Sequence, residues 1–303
     1  MSVPKIGSTN NQKAAPRVVS DSGGGLLLDK YPNAAVAYSC RQLRSDYDGL
    51  CMRVRRDSDS VEFDIGFVNG LIDALYLKQI GDTCHVLTWY DQSGNGNNAS
   101  WSTASEIPRI TLSGVVDNMS ISSGSYIEEV PPYCIVNENN GRLILDNYLT
   151  GSQGFLFSVS RNFSDPATSA GLSGPIIGNV GAVPANFNSH RPFTDGIIYD
   201  GFASTVRKTA GNPTESLTNR NIMTIVSQTN YWELRLQKES FYTTTTNTVG
   251  YNSTREKPQI GRSNEGGTIR YFNGRIAEVI IYTEDVYAML QNIENEISEY
   301  YAI

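Results

Sequence analysis

Charge and histidine are both scarce in this sequence. Asp, Glu, Lys and Arg make up 18% of its 303 residues, below the usual quarter, which argues against a helical bundle or a disordered tail. With only two histidines, His85 and His190, a Ser-His-Asp or Cys-His site must use one of them. Neither sits in a GxSxG, HExxH or Walker-type segment. The four cysteines, Cys40, Cys51, Cys84 and Cys134, are too widely spaced for a CxxC zinc or redox motif. No signal peptide is recognisable, so free, mostly buried thiols in a reducing cell are the expectation. No apolar stretch is long enough to cross a bilayer, so a soluble protein without membrane insertion is expected. A net charge of −7 argues against nucleic acid as a partner, since that favours a basic surface.

What the chain does contain is Gly, Asn, Ser and Thr around short β-branched and aromatic runs. Residues 1–25 read as a flexible polar arm ending in Ser22-Gly23-Gly24-Gly25, either an unstructured end or a peptide that orders on a partner. Residues 26–303 read as one domain. Apolar spacing predicts short helices over Ala34–Leu43 and Leu71–Ile80, with an alternating strand at Val61–Ile65 between them. Strands are predicted at Val86–Tyr90, Arg109–Leu112, Gly154–Val159, Ile197–Tyr199, Met223–Val226, Trp232–Leu236 and Tyr242–Thr246. Two hairpins are predicted. One joins Tyr133–Val136 to Arg142–Leu145 through Asn139-Asn140-Gly141, the other Ile269–Phe272 to Ile276–Tyr282 through Asn273-Gly274. Val286, Leu290, Ile293 and Ile297 recur at helical spacing, with Thr283 as N-cap, so a helix closes the chain.

Candidate chemistry is thin. Asp91-Gln92-Ser93-Gly94-Asn95-Gly96-Asn97-Asn98 is dense in oxygen side chains and glycine. Asp91 and Asn95 could ligate calcium, but the later acids of an EF-hand are missing and a tight turn explains the composition. No metal and no cofactor is therefore expected. Strand alternation turns Cys84 and His85 to opposite faces, which weakens a Cys-His dyad, and His190 falls in a polar loop. The cluster Arg53-Val54-Arg55-Arg56 reads as a surface ion-pair patch. A glycosidase would need two facing carboxylates, for which Asp195, Asp200, Glu233, Glu265 and Glu278 are available.

Three segments resemble the catalytic domain of the α-L-arabinofuranosidase B family. They are Arg41–Gly49 continuing into Arg53–Asp59, then Thr88-Trp89-Tyr90-Asp91-Gln92-Ser93-Gly94-Asn95-Gly96-Asn97, then Tyr271-Phe272-Asn273-Gly274-Arg275-Ile276-Ala277-Glu278-Val279-Ile280-Ile281-Tyr282. The resemblance runs from about Ala34 to the C-terminus. It implies an all-β fold, an antiparallel concanavalin-like jelly-roll β-sandwich with short peripheral helices and a C-terminal helix. It also implies a glycosidase pattern that this sequence departs from. The family's nucleophilic glutamate follows an aspartate by two positions; here Asp200-Gly201-Phe202 puts Phe202 in that slot. The acid/base aspartate follows an Ile-Gly pair; here Ile260-Gly261-Arg262-Ser263 puts Ser263 there, with Glu265 nearby. The family's adjacent cysteine pair is absent. Losing acid and nucleophile together implies no catalytic residues and no enzyme.

The segments Arg53–Arg56 and Trp89–Gly96 also resemble lectin-like chains of tailed bacteriophages. That implies a virion protein made in the host cytoplasm, either a head-decorating, capsid-stabilising module or a small adhesin. Its expected partners are phage structural proteins, met through the arm or a sandwich face, and host-surface glycans; a homo-oligomer stays open. Tyr199, Asp200, Tyr231, Trp232 and Arg262 are the expected glycan contacts, since sugars stack on aromatics and hydrogen-bond to planar polar groups. The competing readings are a stand-alone glycan-binding module and an active arabinofuranosidase-like hydrolase.

Overall fold

The structure, a computed structural model, describes residues 25–119, 131–138, 140–182, 189–265 and 268–303, without the Glu265 side chain. The expected arm, apart from Gly25, lies outside the described residues.

Two long antiparallel strands, Gly154–Asn162 and Gly274–Tyr282, pair along their whole length and form the spine of one leaf. Asn221–Gln228, Tyr231–Leu236 and Glu239–Thr244 extend this leaf beyond the first of them. Val36–Ser39 and Ile135–Asn137 pair with successive parts of the second. The other leaf runs from Glu62–Ile65 through Met52–Arg56, Cys84–Trp89, Ala99–Ser100, Leu143–Leu145 and Gln259–Ile260 to Ile177–Gly178. Arg109–Leu112 hydrogen-bonds to both leaves, so the ladder folds over on itself.

Alternation along the spine explains the layering. Leu156, Met223, Ile225, Val279 and Ile281 face the second leaf and meet Val54, Val86, Leu143 and Ile260 in the main core. Phe155, Phe157, Val159, Ile280 and Tyr282 face the other way and are covered by Leu290, Ile293, Ile297 and Tyr301 of the helix Leu290–Tyr301. A bulge between Val159 and Ser160 skips Ala277 in the register, which is why Ile276 and Val279, three apart, share one face. The result is an all-β antiparallel sandwich with a C-terminal helix on one outer face. All four cysteines are buried and free.

Several local expectations change. Ala34–Leu43 contains no helix: Val36–Ser39 is a strand buried on both faces, and a doubly covered strand has no period-two signal to distinguish it from a helix. Over Leu71–Ile80 the helix is confined to Ala74–Ile80, started by the Asp73 carboxylate accepting from the Tyr76 amide. Neither expected hairpin forms. Ile135–Asn137 and Leu143–Leu145 belong to different leaves, and Thr268–Tyr271 pairs with Arg262–Glu265 rather than with Gly274–Tyr282. Gly274 is instead a corner: a Cβ there would lie 2.2 Å from the Arg161 carbonyl. Thr283 does not cap the last helix, which is entered through a 3-10 turn at Tyr287–Met289, with Asp285 accepting from the Tyr287 amide.

Two polar networks lock this frame. Glu278, 1% exposed, accepts from Arg41 through both oxygens at 2.8 Å, from Ser39 at 2.8 Å and from the Tyr301 hydroxyl at 3.1 Å. Beneath the helix, Arg235 donates to both oxygens of the buried Glu294 and to Glu233.

Candidate functional site

The five expected glycan contacts do not converge. Trp232 is 0% exposed, with its indole N–H donating to the Phe202 carbonyl inside the main core; it cannot stack on a ligand. Tyr231 lies on the opposite face of the same strand, packs edge-on against Tyr287 and donates to Glu233, so it belongs to the helix-side layer. Asp200 is buried, its carboxylate accepting the Phe202 amide at 2.7 Å. Tyr199 is part-exposed and Arg262 is 4% exposed, and the two lie in different clusters. Alternation separates the neighbours in each strand; which face would be solvent-free depended on pairings that the sequence does not display.

The conspicuous turn proves architectural. Asp91 accepts from the Ala37, Ser93 and Asn97 amides and the Ser93 hydroxyl. Gln92 binds the Leu43 amide and the Ser39 and Arg41 carbonyls. Asn95 turns its amide nitrogen to the Ala34 and Ala35 carbonyls. With both Asp91 oxygens taken by protein donors, the segment fixes the strand Val36–Ser39 in place and offers no cation cage. His85 pairs with Asp57 at 2.8 Å, on the face away from the buried Cys84 thiol. The Arg53–Arg56 cluster forms surface ion pairs, Arg53 with Asp64 and Arg56 with Asp59.

The slots matched to the family's carboxylates are sealed. Phe202 is 3% exposed in the main core and Ser263 is 0% exposed. Glu265 continues the strand opposite Thr268; its side chain lies outside the described residues. A carboxylate at position 202 would be buried in the apolar core, which is unfavourable without partners.

A cluster that sequence reasoning reached only through Arg262 has the character of a binding site. Arg142 stacks 3.7 Å from the centre of the Trp101 ring and donates to Glu106 at 2.6 Å. Trp101 donates to the same carboxylate at 3.1 Å. Arg262 approaches Glu106 only to 3.9 Å and lies 5.7 Å from the Tyr271 ring. It is 4% exposed, its Nε has no hydrogen-bond partner, and Nη1 reaches Glu106 only at the 3.9 Å of a long ion pair. Burial and the neighbouring Arg142 hold its pKa below the usual range. The Nε atoms of Arg142 and Arg262, the Ser263 hydroxyl and the Gln259 side-chain oxygen are all buried without partners. Native proteins leave few such atoms, and each calls for a partner from water, an ion or a ligand.

Local backbone geometry presents this cluster. Gly261 has φ +79°, and a Cβ there would meet the Asn137 amide at 2.7 Å. Asn137 donates to the Gly261 and Phe272 carbonyls, which holds the kink that aims Arg262 beside Tyr271. Glu106 ends the 3-10 turn Ala104–Glu106, and its carbonyl accepts the Arg142 amide. Trp101, Glu106 and Arg142 are dispersed in sequence and share no spacing rule, which is why they were missed.

Tyr199 forms a second, smaller cluster. It packs edge-on against His190 and Phe193, carries Arg207 4.7 Å over its ring and donates to Asp195. His190 Nδ1 lies 2.8 Å from Ser173 Oγ, but that hydroxyl is fully buried and also meets the Ala170 carbonyl, so the pair is structural.

Two buried groups here oppose each other in pH. Burial pushes the Asp200 carboxyl up to about 6, so its contribution to stability declines as pH rises from about 4 to 6. Burial, reinforced by Arg207 and Arg270, pushes His190 down to about 4, so its contribution grows as pH rises from about 4 to 6.5. Asp200→Asn should therefore unmask a urea midpoint that climbs over that interval. A midpoint unchanged between pH 4 and 6.5 would contradict the assignment.

No sequence family matches the chain, and no curated protein does. Its fold is matched among solved structures. An arabinofuranosidase complexed with arabinofuranosyl-α-1,2-xylobiose superposes with a TM-score of 0.55 at 15% identity, covering 88% of this chain and 62% of that one. A GH54 α-L-arabinofuranosidase soaked with a cyclic sulfate inhibitor gives 0.56 at 16%, with the same coverage. The chain thus spans about three fifths of the length of these enzymes, and the likeness establishes a shared sandwich fold.

Proposed function

We propose that this chain is a non-catalytic, glycan-recognising sandwich carried on the surface of a tailed-phage particle, and that Arg142, Arg262, Trp101 and Tyr271 form its sugar site. The observation that carries the glycan reading is the nearly buried Arg262 guanidinium. It lies beside the Tyr271 ring, its Nε has no hydrogen-bond partner, and its ion pair with Glu106 is 3.9 Å long. Aromatic walls beside a few convergent polar groups are what sugar rings need. Of the residues expected from sequence, Arg262 stays in the proposed site and Tyr199 becomes a peripheral contact.

The absence of catalysis is supported by the sealed positions of Phe202 and Ser263. No turnover of aryl arabinofuranosides is expected. Turnover that disappears in Glu265→Gln would establish an enzyme and overturn this part of the reading. The particle role is supported by the resemblance of Arg53–Arg56 and Trp89–Gly96 to phage chains and by the polar arm. Saturable binding to purified phage heads, weakened at least tenfold when residues 1–25 are removed from a chain that still folds, is the expected result. Heads that fail to bind the intact chain would leave a stand-alone glycan-binding module.

A further inference from the structure

We infer that the sugar recognised at Arg142 and Arg262 carries a carboxylate, so the ligand is an acidic glycan rather than the neutral pentose polymers of arabinofuranosidases. The inference rests on the glycan reading above and specifies its ligand class.

Among the described residues, two guanidinium groups meet here around one close carboxylate. Glu106 is 2.6 Å from Arg142 and 3.9 Å from Arg262. The next acid, Glu256, is occupied: its oxygens accept from Gln259 and Asn264, each at 2.6 Å. Arg262 is left with a planar fork of N–H donors whose Nε has no partner and whose Nη1 reaches Glu106 only at 3.9 Å, in a setting 4% exposed. A sugar hydroxyl offers a single acceptor atom. A carboxylate offers two coplanar oxygens that match the fork and supply the counter-charge the pair lacks. With Glu106 committed to Arg142 and only 3.9 Å from Arg262, this guanidinium is desolvated with weak pairing, and a bound oxyanion relieves that where a neutral hydroxyl does not.

The surroundings fit a pyranose ring bearing that group. The Trp101 and Tyr271 rings flank the arginines.

The test is affinity electrophoresis of the full chain through alginate and polysialic acid, each compared with its carboxyl-reduced form, alongside neutral arabinoxylan and dextran sulfate. Retention by at least one native carboxylated polymer is expected. It should fall at least tenfold on carboxyl reduction and in Arg262→Gln, and partly in Arg262→Lys, which keeps the charge and loses the fork. Thermal midpoints measured in parallel confirm that both variants are folded. Retention by arabinoxylan that depends on Arg262, without retention by the acidic polymers, would overturn the carboxylate and leave the glycan reading standing. Arg262-dependent retention by dextran sulfate alone would replace carboxylate by sulfate. Retention by none of these polymers would overturn the carboxylate inference; if a broad glycan array is also blank, the glycan reading fails with it.

Discussion

Glu278→Ala should lower the unfolding free energy by about 3–5 kcal/mol, the usual effect of removing one partner from a buried ion pair. Glu278 is 1% exposed and holds Arg41 by two hydrogen bonds. Without the carboxylate, Arg41 is stranded beneath Tyr300 and Tyr301, which its guanidinium faces at 4.1 and 5.5 Å. Ser39 and the Tyr301 hydroxyl lose an acceptor in the same step. The network joins the first strand, the spine of the leaf and the end of the last helix, so the loss should appear in the global urea transition. By contrast, Glu296→Ala, which breaks the more exposed pair with Lys30 at 2.7 Å, should change stability by under about 1 kcal/mol. A Glu278→Ala loss as small as that would mean that water reaches Arg41 and that the network is not a closed unit.

Arg262→Gln carries the opposite sign. Stability should stay level or rise by about 1 kcal/mol, while glycan binding falls by about tenfold or more. In the unliganded protein this guanidinium is desolvated, sits beside Arg142 and pairs only weakly with Glu106 at 3.9 Å, so a neutral side chain removes an unfavourable burial. Arginines kept for ligands and arginines kept for folding are separated by this sign. A loss beyond about 1.5 kcal/mol would make Arg262 a structural residue like Arg41 and withdraw it from the site.

How much of this was legible in the sequence depended on the range of the interaction. The alternation of Gly154–Val159 and Ile276–Tyr282, the sandwich class and the apolar positions Leu290, Ile293 and Ile297 of the last helix follow from local pattern, and the structure bears them out; Val286 is buried with them but precedes the helix. The two Asn-Gly hairpins failed because a turn dipeptide reports a turn without saying whether its flanks share a ladder; at Gly274 the small residue serves close backbone approach instead. Val36–Ser39 was unreadable because both of its faces are apolar. The segment from Thr88 to Asn97, the most specific in the resemblance, turned out to hold a brace made by Asp91 and Gln92. A sequence signature can thus be strong because it fixes the fold. The site was legible only in part: Arg262 was chosen as a planar polar group suited to sugar hydroxyls, whereas Trp101, Glu106 and Arg142 are brought to it by pairing between distant strands.

Binding of the wild-type chain and of Arg262→Gln to one glycan array, neutral and acidic sugars together, tests the proposed role most directly. Saturable binding by the wild type that disappears in a folded Arg262→Gln protein is the expected result. An array left blank by the wild type, or bound equally by both proteins, would contradict a sugar site at Arg262.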